Sequence, residues 1–117
     1  MRLLLTLLPL IALLLPQPAD AHAILVGSSP ALGATLPAGH LDFHLHYNSR
    51  IDQGRSRLTL TAPDHSQAIL PITTADSPDV LNSSANLSPG AYVLRWQVLA
   101  VDGHITRGDV PFTVTMP

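Results

Sequence analysis

Two parts of the chain, far apart in the sequence, carry side chains of the types that bind metal ions in proteins. Near the C-terminus, Asp102-Gly103-His104 places a carboxylate and an imidazole two residues apart. On an extended segment such a pair leaves the backbone on one side, and the glycine between them allows angles that other residues resist. The second part is His22, which directly follows Ala19-Asp20-Ala21, a sequence typical of signal-peptidase cleavage.

Cleavage before His22 would give this residue a free α-amine, so that a single residue would offer an amine and a ring nitrogen. Because the two donors are already joined, binding of one raises the effective concentration of the other. Asp102 and His104 complete a set of three nitrogens and one carboxylate oxygen, which suits the tetragonal preference of Cu(II). We therefore predict one Cu(II) ion bound by His22, Asp102 and His104. Taken alone, Asp-Gly is a common hairpin turn, and an N-terminal histidine is usually incidental.

Residues 1–21 have the composition of a cleaved signal peptide. Arg2 supplies the positive start, and residues 3–15 form an almost unbroken apolar run. The run is shorter than the roughly 18 apolar residues of a membrane-spanning helix, so we predict export of one domain, residues 22–117. An uncleaved N-terminal anchor is one alternative. A cut shifted by a residue or two is another, and it would move the amine away from His22.

The composition excludes several classes of function. The chain has no cysteine, which removes disulfides and also blue-copper electron transfer, since the latter needs a thiolate. Six basic and eight acidic side chains give a net charge of −2, without the basic patch expected of a nucleic-acid-binding protein. The six histidines outnumber the two methionines, which favours nitrogen and oxygen ligands over thioethers.

The elements that must position these residues are predicted to be β-strands separated by Pro- and Gly-containing turns. Residues 41–47 alternate between apolar and polar side chains, and residues 91–101 do so around the single tryptophan. The predicted strands are residues 23–27, 41–47, 56–62, 67–73, 80–87, 91–101 and 106–115. About seven short strands predict an all-β protein with an Ig-like or Greek-key antiparallel β-sandwich fold.

Four other residues have open interpretations. His44 and His46 share the polar face of a predicted strand, where they form either a solvated surface or, less simply, a second chelate. Arg95 and Arg107 flank the predicted site in sequence. Each is either a hydrogen-bond donor to Asp102 or a surface charge, and the sequence does not decide between these.

Several segments of the chain, including the predicted ligands, resemble the CopC family of periplasmic copper-binding proteins. The matching segments are His-Ala-Ile-Leu at 22–25, Ser-Pro-Ala at 29–31 with Gly33, Pro-Gly-Ala-Tyr at 89–92 leading through Arg95-Trp96 to Asp102-Gly103-His104, and residues 108–114 with Phe-Thr-Val. In that family the mature N-terminal histidine and an Asp-x-His pair bind Cu(II). The resemblance implies those roles for His22, Asp102 and His104, and it implies a Greek-key sandwich.

The chain also departs from the family pattern. Some members carry a methionine-rich loop for Cu(I), which is lacking here, so we expect a protein that binds Cu(II) only. Many members have Phe-Ser-Glu-Pro in the second strand, where this chain has Tyr47-Asn48-Ser49-Arg50 and no glutamate. We expect a non-enzymatic, monomeric periplasmic carrier or buffer in copper homeostasis and resistance. The resemblance implies delivery to an inner-membrane copper transporter of the CopD type.

Two other functions fit part of the sequence. Oxidative polysaccharide-cleaving enzymes also hold copper with an N-terminal histidine. This chain, however, is short for a carbohydrate-binding face, and a carboxylate in an equatorial position would hinder oxygen binding. The other alternative is a metal-free sandwich that acts as an interaction module. Its melting temperature would not respond to Cu(II), because only a ligand of the native state stabilises the fold.

Overall fold

The computed structural model describes residues 22–117, which form two β-sheets packed face to face. The strands of this range are β1 (Leu25–Ser29), β2 (Thr35–Pro37), β3 (Gly39–Tyr47), β4 (Arg57–Thr61), β5 (Gln67–Leu70), β6 (Val80–Leu87), β7 (Gly90–Leu99) and β8 (Ile105–Thr115). One 3-10 turn, Gln53–Arg55, is the only helical segment within it. The predicted signal peptide, residues 1–21, lies outside the described residues, and its cleavage stays a prediction.

The smaller sheet has the order β1-β3-β6 and the larger has the order β2-β8-β7-β4-β5. Every neighbouring pair of these strands is antiparallel except β2 and β8, which run parallel. The all-β sandwich prediction is confirmed. No helix among residues 22–117 has the length and apolar character needed to cross a bilayer.

The core fills the space between the two sheets and follows the predicted alternation. In β3, Phe43, Leu45 and Tyr47 are buried, while the polar residues between them are exposed. Phe43 packs edge-on against Phe112 of the larger sheet at 5.9 Å between ring centroids. Tyr47 meets Trp96 in the same way at 5.3 Å. Such aromatic pairs add to the several kcal/mol gained by burying each ring, so they fix the two sheets against each other.

Candidate metal centre

The fold brings all three predicted ligands together at one end of the sandwich. One ligand atom from each of His22, Asp102 and His104 lies within 4.8 Å of the other two. The imidazole rings of His22 and His104 meet edge to face, with 4.5 Å between their centroids. All three residues are exposed, and among residues 22–117 no other three His, Asp or Glu side chains come this close.

The hairpin loop between β7 and β8 presents Asp102 and His104. Its ends are closed by a hydrogen bond from the Ala100 amide to the His104 carbonyl at 2.8 Å, and Gly103 N–H donates to the Ala100 carbonyl at 2.9 Å. Gly103 has a φ of +90°, a backbone angle that glycine adopts without steric cost. Ala100 also forms an isolated bridge with Ile51, so the base of the loop is tied to the rest of the sandwich.

Within this loop, the carboxylate and the imidazole are held by local hydrogen bonds. The His104 backbone N–H donates to Asp102 Oδ1 at 3.0 Å, and Asp102 Oδ2 lies 2.6 Å from His104 Nδ1. The hydrogen bond from the His104 backbone N–H lowers the pKa of Asp102 most, followed by the side-chain hydrogen bond with His104. The carboxylate is therefore ionised at neutral pH, which is the form that binds a metal ion.

The segment that carries His22 is fixed to both sheets. Ala23 is 1% exposed, and its carbonyl accepts a hydrogen bond from Thr106 Oγ1 of β8 at 2.8 Å. The Ile24 amide donates to Asn48 Oδ1 at 2.8 Å, and the Asn48 amide donates to the Ile24 carbonyl at 2.9 Å. Buried Ala23 and these three bonds hold His22 beside the hairpin loop. Neither Thr106 nor Asn48 stands in a sequence motif that would predict this positioning role.

The two arginines near the site have partners other than Asp102. Arg95 pairs with Asp109 at 3.4 Å, and Arg107 Nε donates to Gln97 Oε1 at 2.9 Å. Arg95 lies on β7 and Arg107 on β8, and each contacts a side chain of the other strand. Of the two interpretations left open by the sequence, the structure therefore supports surface charge for both residues.

The structure therefore defines a small two-sheet β-domain that presents two imidazoles and a carboxylate close together on its surface. The chain belongs to the CopC family, whose CopC domain matches residues 25–115. Protein YobA of Escherichia coli strain K12 is 31% identical over 109 residues, which cover 80% of this chain and 79% of YobA. Protein YobA of Shigella flexneri matches to the same extent.

Solved structures give the same family and the same architecture. CopC from Methylosinus trichosporium OB3b superposes with a TM-score of 0.72 at 26% identity, covering 81% of this chain and 95% of that one. PcoC, a methionine-rich copper resistance protein from Escherichia coli, has a TM-score of 0.67 at 24% identity, covering 81% of this chain and all of that one. These neighbours confirm the Greek-key β-sandwich, and membership of the family supports a copper-related role.

Proposed function

We propose that the mature protein binds one Cu(II) ion through His22, Asp102 and His104 and acts as a periplasmic copper carrier or buffer. The observation that carries the proposal is the convergence of these three donors within 4.8 Å in a chain of the CopC family. Cleavage before His22 would add its α-amine as a fourth donor. Three nitrogens and one carboxylate oxygen form the tetragonal set that Cu(II) prefers.

The donor set argues for Cu(II) over Cu(I). The solved relative PcoC is methionine-rich, whereas this chain has two methionines in its whole length. Within residues 22–117 the only methionine is Met116, which is highly exposed near the C-terminus. Because Cu(I) favours soft thioether and thiolate ligands, a site of imidazoles and a carboxylate favours the oxidised ion.

The surface around the centre favours a carrier. Three large aliphatic side chains lie within two residues of the predicted ligands in sequence and are exposed: Ile24, Val101 and Ile105. A contiguous exposed apolar patch on a protein surface often marks an interaction site. We propose that these residues contact an inner-membrane copper transporter of the CopD type while the ion is passed on. A Val101→Ser/Ile105→Ser variant should bind copper normally and transfer it more slowly to that transporter in vesicles; unchanged transfer would contradict this contact.

The decisive experiment combines intact mass spectrometry of the exported protein with Cu(II) titration. We expect a chain that begins at His22 and a first copper equivalent that binds tightly. Acetylation of the α-amine should weaken that equivalent by at least about tenfold, because one donor is lost. A chain that begins elsewhere would contradict the proposal, as would an acetylated protein that holds copper equally well.

Thermal unfolding distinguishes the proposal from a metal-free interaction module. A ligand that binds only the native state stabilises it by about 2.7 kcal/mol at one hundred times its Kd. Cu(II) in that excess should therefore raise the melting temperature of the wild-type protein clearly. A His22→Ala/Asp102→Ala/His104→Ala variant should lack most of this increase, and an unchanged melting temperature of the wild-type protein would favour the module.

A further inference from the structure

The exposed face of β3 carries three histidines outside the site described above. His40, His44 and His46 are exposed and share the side of β3 opposite the buried Phe43, Leu45 and Tyr47, so their rings project from the outer face of the smaller sheet. This face is polar across the neighbouring strand as well, since β6 places Asn86 opposite His40 and Asn82 opposite His44. Each of the three imidazoles has an oxygen partner, but the pattern of these hydrogen bonds differs from one ring to the next.

His44 and His46 each use one ring nitrogen in a hydrogen bond, and the other has no hydrogen-bond partner among residues 22–117. His46 Nε2 lies 2.9 Å from Asp79 Oδ2, and His44 Nδ1 lies 2.9 Å from Asn82 Oδ1. An ionised carboxylate and an amide oxygen only accept hydrogen bonds, so each of these nitrogens carries the proton. The lone pairs therefore belong to His46 Nδ1 and His44 Nε2, for which the described residues provide no hydrogen-bond donor.

Asp79 is held in its ionised form. Its pKa is lowered first by the hydroxyl of Ser77, which donates to Asp79 Oδ1, and then by the hydrogen bond with His46. In metalloproteins, an imidazole that binds a metal through one nitrogen usually donates its other N–H to a carboxylate or carbonyl oxygen. That bond fixes the tautomer and raises the basicity of the ligand. His46 and His44 already have this arrangement.

His40 lacks this arrangement although it belongs to the same strand face. Its Nδ1 lies 3.3 Å from Asn86 Oδ1 and its Nε2 lies 2.9 Å from Asp42 Oδ1. Both ring nitrogens face an oxygen atom, so metal binding by His40 would first require the ring to move away from one of these partners. The same strand therefore contains two histidines prepared to bind a metal ion and one that is not.

We propose that His44 Nε2 and His46 Nδ1 form a second site for a divalent transition-metal ion. Residues two apart on a strand are separated by about 6.6 Å, a spacing that lets two imidazoles reach one ion through bonds of about 2.0 Å. Water fills the remaining positions because both side chains are exposed. With two protein ligands, the site binds more weakly than the three-residue centre. By the order of stabilities for imidazole ligands, Cu(II) is the preferred ion.

A Cu(II) titration of the exported protein tests this second site. Calorimetry measures its affinity, and electron paramagnetic resonance identifies the ligands of the second equivalent. We expect wild-type protein to bind a second, weaker equivalent with the nitrogen couplings of two imidazoles. His44→Ala and His46→Ala should each weaken that equivalent by at least about tenfold. His40→Ala is the matched control, because it removes an imidazole from the same exposed face, and it should change the second equivalent by less than about twofold.

The two sites can be separated by variants. A His22→Ala/Asp102→Ala/His104→Ala protein should lose the tightly bound first equivalent and retain the weaker second one. The two sites are therefore measured independently, and failure of the proposed copper centre would leave this proposal intact. The second site is disproved if wild-type protein takes up no second equivalent, or if His44→Ala and His46→Ala both retain it. It is also disproved if His40→Ala weakens it as much as they do. Circular dichroism of each variant verifies that the sandwich is folded.

Discussion

The carboxylate of Asp102 has two roles: it is a hydrogen-bond acceptor in the structure and a ligand in the proposed copper centre. It accepts hydrogen bonds from the backbone and the ring of His104, and in the proposed centre it also binds the metal. Asp102→Asn separates these roles, because the amide keeps an oxygen for the His104 N–H but loses the negative charge. We expect Cu(II) affinity to fall by at least about tenfold when it is measured by competition with a chelator. Asp109→Asn, which alters only the pair with Arg95, is the control; equal affinity of Asp102→Asn and wild-type protein would exclude the carboxylate as a ligand.

A second residue with an unusual environment is Tyr47, in the middle of the core. Its ring is fully buried, and its hydroxyl has no hydrogen-bond partner within residues 22–117. Burial raises its pKa far above the ordinary range. An unsatisfied buried hydroxyl costs about 1–3 kcal/mol, so Tyr47→Phe should leave the free energy of unfolding unchanged or increase it.

Tyr92 provides the comparison for Tyr47, since it is also buried but donates from its hydroxyl to the Ser88 carbonyl at 2.8 Å. Tyr92→Phe should therefore decrease the free energy of unfolding by about 1 kcal/mol in urea titrations. If Tyr47→Phe proved as destabilising as Tyr92→Phe, the Tyr47 hydroxyl would have a partner in solution, such as a buried water molecule.

The three ligands could be proposed from sequence because each part of the set has a local sequence signal. Asp102 and His104 are two residues apart, and His22 follows a recognisable cleavage signal. The residues that hold His22 in place could not be found this way. Thr106 contacts Ala23 across 83 positions of sequence, and a threonine in a strand gives no indication of such a partner. Only the register of the folded sheets reveals it.

At the level of elements, residues 22–24 form a short segment, the strap, that holds His22 beside the loop between β7 and β8, and the proposed copper centre depends on its position. Thr106 on β8 holds it through the Ala23 carbonyl. Thr106→Val keeps the shape of the side chain but removes the donor, and Thr106→Ser keeps the donor. We expect Thr106→Val to weaken Cu(II) binding severalfold, because His22 is less restrained, while Thr106→Ser binds like wild type. A chelator competition assay measures both; if Thr106→Val also bound like wild type, the strap would be held by Asn48 and Ala23 alone.

The pairing of β7 with β8 contains a close contact that only glycine permits. Gly108 lies opposite Trp96, and a Cβ at this position would come within 2.4 Å of the indole ring. Gly108→Ala should therefore displace Trp96 from its contact with Tyr47 and destabilise the fold by about 1–3 kcal/mol. Gly27→Ala in β1 is the control, since nothing lies within 4 Å of its added methyl group. Tryptophan fluorescence during urea unfolding reports both variants, and equal stability of the two would show that the strands adjust freely at Gly108.

Most strands were predicted because their alternation is strong, as in β3 and β7. β2 was missed, since its three residues, Thr35–Pro37, are too few to show a period. Its parallel pairing with β8 depends on how the chain returns to the larger sheet, which no local pattern encodes. β1 lies two residues later than predicted, because residues 23 and 24 form hydrogen bonds with Thr106 and Asn48 and are not part of the ladder with β3.

On the scale of the whole molecule, the three proposed ligands lie where the two sheets meet. The strap continues into β1 of the smaller sheet, while the loop with Asp102 and His104 joins two strands of the larger one. The three side chains therefore come together only when the sheets are packed. In the proposed centre, binding would be coupled to folding, because an ion that holds both parts stabilises their association.

Acidification should separate release of the metal from unfolding of the protein. Three carboxyl groups have lowered pKa values, each through hydrogen bonds led by a neighbouring residue: Asp64 through Ser66, Asp79 through Ser77 and Asp102 through His104. A lowered pKa in the folded state contributes stability above the unfolded value of about 3.9, and this contribution is lost as the pH falls through the folded value. The loss from these groups therefore begins only below about pH 4.

Copper binding, in contrast, requires deprotonated imidazole and amine nitrogens, which ordinarily titrate between about pH 6.5 and 8. We expect Cu(II) affinity to fall steadily between about pH 8 and pH 5, while the urea midpoint of the metal-free protein falls steeply only below about pH 4. Parallel titrations by chelator competition and by circular dichroism measure the two curves. If the curves fell together, metal release would proceed through unfolding of the sandwich; if they are separate, the folded protein releases its ion by protonation of the ligands alone.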